Sequence, residues 1–288
     1  MAKIITKDTK PGKGIEKDAP EKRRFFLFFE LFFGKFFKLV TLNFLYFVTL
    51  LPLIVGINFS VMINPLIEKS ADILKYTPII FTPTIPGVIL LVVSIFITGP
   101  ATAGFVYVIR NIQRREHTWI FSDFFKQFKK NYKQGLAMSA IDIPAYLVLV
   151  IALLFYLYIM PVDAPEAGTV MPFLGAVFVG AVTLVFTWAH YYIYTMMVTF
   201  ELNFSKLFKN SLIFAIGKLP LNLLISVFVI AVIALNVYVG VLVPAISGIL
   251  LPVISLSLIG FIIVFSTYPT IDKMMIQKAS KRVLNTRG

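Results

Sequence analysis

The chain has few residues whose types could do chemistry. His117 and His190 are its only imidazoles, and it contains no cysteine. A catalytic or structural metal site draws on several convergent nitrogen, oxygen or sulfur ligands. Two distant histidines in no His-Glu-x-x-His arrangement do not supply them. No Gly-rich loop ending in a phosphate-binding lysine is present. Ser247 is followed by Gly248, but no histidine follows downstream to act as its base. The expectations are therefore no catalytic residue, no cofactor and no metal, with an intramembrane enzyme as a remote alternative. Two ionisable residues stand out because their neighbours are apolar. Asp142 lies early in one long apolar segment and His190 late in another. At about 1.5 Å per residue both fall about 9–12 Å from the same end of their segments. Charges at that depth suggest function, and consecutive spans are often neighbours, so a pair is expected. A structural reading stands beside it. Asp142, close to Pro144, could satisfy broken backbone, and His190, beside Tyr191 and Tyr192, could sit in an aromatic belt.

These residues sit in a chain that is mostly hydrocarbon. Hydrophobic residues make up 58%, mean hydropathy is +0.87, and charged residues are only 14%. Soluble domains carry about 25% charged residues, so lipid must solvate most of this chain. The net charge of +13 would suggest nucleic acid in a soluble protein. Here the basic residues flank apolar segments, so the expected partner is a bilayer with anionic headgroups and not nucleic acid. Without cysteine there are no disulfides or thiolate sites.

Three stretches carry organised polarity. Phe121, Phe124, Phe125, Phe128 and Tyr132 fall on one helical face, with Lys126, Lys129, Lys130 and Lys133 around the rest. A similar six-residue pattern occurs at Phe33, Phe36, Phe37, Lys38, at Phe121, Phe124, Phe125, Lys126, and at Phe204, Leu207, Phe208, Lys209. Each copy precedes about two membrane lengths of apolar chain. The spacing predicts a three-fold repeat of one amphipathic helix plus one two-span hairpin. An aromatic face with a lysine-rich back suits a helix lying in the headgroup layer.

The organisation expected is an all-α integral membrane protein with six transmembrane helices and three cytoplasmic amphipathic helices. Residues 1–21 read as a disordered basic tail, not a signal peptide. Residues 22–272 form one membrane domain. Its spans are expected near 39–59, 87–112, 136–160, 171–198, 219–239 and 249–271, and its interfacial helices near 23–38, 121–135 and 199–212. A short surface helix is expected over Pro65–Lys75, an acidic loop over 161–170, and a second basic tail over 273–288. Residues 219–271 contain no charge. As one helix they would run about 80 Å against a bilayer core of about 30 Å, so the chain must turn back near Gly240–Gly248. Gly99, Pro100 and Gly104 predict an interruption of the second span, either a hinge or a tightly packed kink.

Of all the lysines and arginines only Lys69 and Lys75 fall on the far side of this arrangement. The bias places both termini and the three amphipathic helices in the cytoplasm.

The run Gly99-Pro100-Ala101-Thr102-Ala103-Gly104, then Val106-Tyr107-Val108, Arg114-Arg115-Glu116 and Phe121 to Lys133, after an apolar span, resembles the YesL family of bacterial membrane proteins. The resemblance is clearest over residues 39–135. The longer charged tail and the segment 60–86 depart from the family's short form. It implies a multi-pass protein of the bacterial cytoplasmic membrane, often found alongside carbohydrate uptake and degradation systems. It supplies no catalytic residues. Two functions follow as expectations. The first is a non-enzymatic accessory or assembly component for carbohydrate uptake, with transport-system membrane subunits as partners. The alternative is a small-molecule transporter in its own right. A polar cavity lined by Asp142 and His190 favours transport, and a core filled by Phe, Leu and Ile favours the accessory role.

Overall fold

The computed structural model describes residues 23–61, 85–160 and 168–276. The first tail, the surface helix expected over Pro65–Lys75, most of the acidic loop and the end of the second tail lie outside the described residues. Among the described residues the fold is all-helical. Its elements are α1 (Arg24–Gly34), α2 (Phe36–Val61), α3 (Ile85–Gln113), α4 (Ile120–Lys130), α5 (Tyr132–Leu154), α6 (Val170–Met197), α7 (Phe204–Gly217), α8 (Leu219–Leu242), α9 (Pro244–Leu250) and α10 (Leu256–Ile271). Wider π-helical turns extend α5 through Ile159, join α9 to α10, and carry α10 on to Ile276.

Six of these helical runs are long and apolar enough to cross a membrane: Phe36–Asn58, Ile85–Gln113, Tyr132–Tyr158, Val170–Met197, Leu219–Leu242 and Pro244–Ile276. The uncharged stretch 219–271 does turn back, through the single non-helical residue Val243 with Pro244 after it. Proline suits the start of a helix, where its missing N–H costs nothing.

An amphipathic helix precedes each hairpin and meets it at one residue. These joints are Lys35 (φ −120°, ψ 19°), Asn131 (φ −99°, ψ 15°) and Lys218 (φ −120°, ψ 34°). All three lie near the sparsely used bridge region between α and β. Helical hydrogen bonding continues through each. The Lys35 amide donates to Leu31 and its carbonyl accepts from Leu39. Asn131 does the same with Gln127 and Gly135, and Lys218 with Phe214 and Asn222. The chain thus changes direction without orphaning backbone groups, which apolar surroundings would penalise.

The helix-plus-hairpin order therefore recurs three times, but in a different register from the Phe/Lys pattern. Phe121 and Phe204 open α4 and α7, whereas Phe33 lies near the end of α1. The first copy straddles its joint, so Phe36, Phe37 and Lys38 belong to the first span and Lys38 is not the counterpart of Lys126 and Lys209. Both sides of that joint are rich in Phe and Lys, so composition could not locate the bend. Similarly, Tyr132–Gly135 belong to the third span, and the third amphipathic helix starts at Phe204 rather than near 199 and runs on to Gly217.

The second spans of the three hairpins, α3, α6 and α10, touch one another pairwise and form the centre. Each amphipathic helix packs on the second span of the unit before it. Phe124 of α4 lies under Gly104 of α3. Phe214 of α7 stacks on Tyr192 of α6, centroids 5.1 Å apart. Phe28 and Phe32 of α1 close the cycle on Phe261 and Phe265 of α10. The interior is tight and largely apolar, with bonded polar groups among the rings. Phe105, Ile109, Tyr192, Phe261 and Val264 are buried, Tyr46 stacks on Phe105 at 4.2 Å, and a Cβ on Gly260 would reach the Phe105 ring at 2.5 Å.

Candidate functional site: a carboxylate–imidazole pair between neighbouring spans

Asp142 on α5 and His190 on α6 face each other. The Nε2 of His190 lies 2.7 Å from Oδ1 of Asp142, and each side chain is only 15% exposed. The other ring nitrogen, Nδ1, lies 2.7 Å from the Phe186 carbonyl one turn back. A carbonyl can only accept, so Nδ1 carries a hydrogen. The short Nε2–Oδ1 contact needs a second. Either Nε2 also bears hydrogen and the pair is an ion pair, or the carboxyl group is protonated and donates. In both forms one proton is shared and the pair carries no net charge, which suits burial.

Tyr194 donates to Asp142 Oδ2 at 3.4 Å. The ring of Phe186 meets His190 edge-on at 4.6 Å, and the tilted ring of Tyr146 sits 5.9 Å from it while its hydroxyl pairs with Thr187 at 3.1 Å. Every polar atom of the pair thus points at a group on α5 or α6. Asp142 reaches His190 and Tyr194, not the backbone near Pro144. Among the described residues, no three His, Asp or Glu side chains lie close enough together to hold a metal ion. Two cavities are described, one between residues 127–134 and 197–203 and one beside Val40–Val48, Phe121 and Pro252. Neither is lined by Asp142 or His190.

The second span is not interrupted at Gly99, Pro100 and Gly104. One helix runs from Ile85 to Gln113 through Pro100. The small residues let neighbours in: a Cβ on Gly99 would collide with the Gly135 carbonyl, and one on Gly104 would lie 2.6 Å from the Phe124 carbonyl. The feature is a packing seam that admits α5 and α4. The residues named on amphipathic helices divide between two faces. Phe124 and Leu207 are fully buried in protein, whereas Phe33, Phe37, Phe121 and Phe125 face outward, as do Lys126 and Lys209. Phe36, Lys38, Phe204 and Phe208 are half-buried.

A second polar set links the units and is hard to see in sequence. Asn43, Ser139 and Ser226 each lie eight residues past a joint, and all are buried. Asn43 donates to the Leu251 carbonyl and accepts from the Ser257 amide of the sixth span, at 2.9 and 2.6 Å. Ser139 donates to the Ile95 carbonyl of α3, and Ser226 accepts from the Trp188 indole of α6 at 2.8 Å. Each first span is thereby tied to the second span of the preceding unit. Asn222, also buried, accepts from Tyr192 at 2.7 Å and donates to Phe214 and Ala215. The shared spacing from the joints was the available signal, and it appears only once the joints are located. Arg110 was also missed. It is buried at the end of α3, donating to the Val198 carbonyl at 2.6 Å and to the Thr199 hydroxyl at 3.1 Å.

Fold and site define a class: a multi-pass helical membrane protein of three helix-plus-hairpin units, with a half-buried carboxylate–imidazole pair. Residues 37–158 match a family described as protein of unknown function, DUF624. This is the YesL-like family of bacterial membrane proteins, and the matched segment runs from the start of the first span to the end of the third. No curated protein and no solved structure matches the chain.

Proposed function

We propose that this protein is a non-enzymatic component of the bacterial cytoplasmic membrane, acting as an accessory or assembly partner for a carbohydrate-uptake system. The observation that supports this most is the filled interior. Phe105 and Ile109 of α3 lie against Gly260 of α10, Tyr192 of α6 packs on Phe214, Phe261 of α10 packs on Phe28 and Phe32, and all of these side chains but the half-buried Phe28 are buried. A transporter needs a polar site near the midplane reachable from each side in turn. Here the ionisable pair is consumed in bonds between two neighbouring spans. The outward surfaces are apolar along the spans and basic at one end, which suits lipid with anionic headgroups and the membrane subunits of a transport system. Carbohydrate as the setting comes from the family resemblance.

Among the described residues, every lysine and arginine lies at the end that carries α1, α4 and α7. By the positive-inside bias that end faces the cytoplasm, with both termini. A single cysteine in place of exposed Thr169 should react with an impermeant thiol reagent in intact cells. Cysteines in place of Lys130 or Lys209 should not, and labelling there would reverse the orientation. For the function, the full-length protein is purified through a tag in mild detergent. Transport-system membrane subunits should co-purify in comparable amounts. Sugar flux through liposomes containing this protein alone would overturn the accessory reading.

A further inference from the structure

The second joint opens onto a cavity of about 970 Å³, between residues 127–134 and the link 197–203 that leads from α6 to α7. Lys129, Lys130 and Lys133 line it and are exposed. Its one carboxylate, Glu201, stands 3.8 Å from Lys130 and is 93% exposed, so it neutralises little. Val198 and Thr199 form part of the wall. Behind that wall the buried Arg110 guanidinium donates to the Val198 carbonyl and the Thr199 hydroxyl. Among the described residues Arg110 has no carboxylate within ion-pair distance. Three ammonium groups in front and a guanidinium behind give the cavity a positive field, and burial of the guanidinium limits its screening.

The corresponding corner of the first unit pairs its charges differently. Lys38 and Gln134 both lie three residues past their joints. Lys38 donates to the Thr118 carbonyl at 2.9 Å and Gln134 to the Leu202 carbonyl at 2.6 Å. Thr118 and Leu202 both lie two residues before the next amphipathic helix. The scaffolds correspond, but the first corner matches its charges. Arg115, held at φ 58°, pairs with Glu30 at 3.4 Å, and Arg114 pairs with Glu116 at 2.9 Å.

We propose that the cavity at the second joint binds a phosphate-bearing anion, with Lys129 and Lys133 as the contacting cations and Tyr132 and Phe200 as its apolar wall. Ammonium groups act on phosphate as mobile point charges, and several of them around one concavity distinguish phosphate from a singly charged ion. The phosphate can belong to a soluble solute or to the headgroup of an anionic phospholipid. This site goes beyond the accessory role and does not depend on it.

Pyrophosphate is the soluble probe, titrated at low ionic strength into the full-length protein in neutral detergent. It should raise the unfolding temperature. The apparent Kd should weaken at least tenfold in Lys129→Gln/Lys133→Gln but stay near wild type in Lys206→Gln/Lys209→Gln, which removes equal charge from the same end outside the cavity. A measurement on the unaltered protein accompanies it: pyrophosphate should shield Lys129 and Lys133, but not Lys206 and Lys209, from acetylation. The second arm uses nanodiscs of phosphatidylglycerol or of phosphatidylcholine alone. Loss of retained phosphatidylglycerol only in the Lys129/Lys133 variant, with no pyrophosphate response, identifies the headgroup as the source. Equal weakening in both variants, or no binding and no shielding in either arm, overturns the site.

Discussion

At the scale of single residues, Asp142 and His190 are linked by geometry that leaves little freedom. The Phe186 carbonyl fixes a hydrogen on Nδ1 of His190, and the 2.7 Å contact of Nε2 with Asp142 holds one more. Removing the carboxylate strands the imidazole edge in a site where water is scarce. Asp142→Ala should therefore cost about 1–3 kcal/mol of stability, the penalty of an unsatisfied buried polar group. His190→Leu alone should cost a similar amount. The double variant should cost less than the two single losses together, because the second change removes the orphan left by the first. Thermal unfolding of the four proteins in one detergent gives this cycle. Additive losses would mean that the two side chains do not depend on each other.

Single residues also mark what a one-dimensional reading can reach. Asp142 and His190 stood out because each interrupts a long apolar run, so a buried polar group was legible. Their partners Tyr194 and Phe186 were not. Choosing them requires the rotation of α5 against α6, which periodicity does not fix. Arg110 falls near the end of the second span, and the residues just past α6 supply the carbonyl and hydroxyl that allow it to be buried. Burial of a charge depends on a partner distant in sequence, and the sequence near Arg110 does not contain that partner.

At the scale of elements, the amphipathic helices have two apolar sides. On α4, Phe124 is fully buried beneath α3, while Phe121 is 59% and Phe125 46% exposed. On α1, Phe28 and Phe32 pack on α10, while Phe25, Phe26 and Phe33 point outward. The two sides predict different outcomes. Phe124→Ala should cost about 3–5 kcal/mol, as for a buried core phenylalanine. Phe121→Ala should leave stability nearly unchanged and reduce only the affinity of the helix for the bilayer surface. Unfolding in detergent separates the two, since lipid is absent there. Similar losses from both would mean that α4 does not dock on α3 as described. The number and approximate limits of the spans were legible because length and hydropathy alone determine them. The joints were not. A bend at Lys35 falls within continuous Phe/Lys sequence, and only the docking of α1 on α10 and of α2 on its neighbours makes the direction change.

At the scale of the whole molecule, three units close into a cycle. Each first span is tied by one buried polar residue to the second span of the preceding unit: Asn43 to the sixth span, Ser139 to the second and Ser226 to the fourth. The first amphipathic helix seals the cycle on the last span. α3, α6 and α10 touch one another pairwise at the centre and carry buried side chains there. The proposed accessory role predicts a centre closed to water, whereas alternating access requires water to reach the middle of the bundle from one side at a time. The absence of cysteine allows the point to be tested without knowing any substrate. Cysteines are placed one at a time for Ala103, Val108, Ala189 and Val264, all at most 1% exposed on the three central spans. Thr169 and Lys130 serve as markers for the two ends. A hydrophilic impermeant thiol reagent is applied to intact cells and to inverted vesicles. Each marker should react from its own side, and the four central positions should remain unlabelled from both. Labelling of any central position from either side would reveal a water-filled path and contradict the filled scaffold.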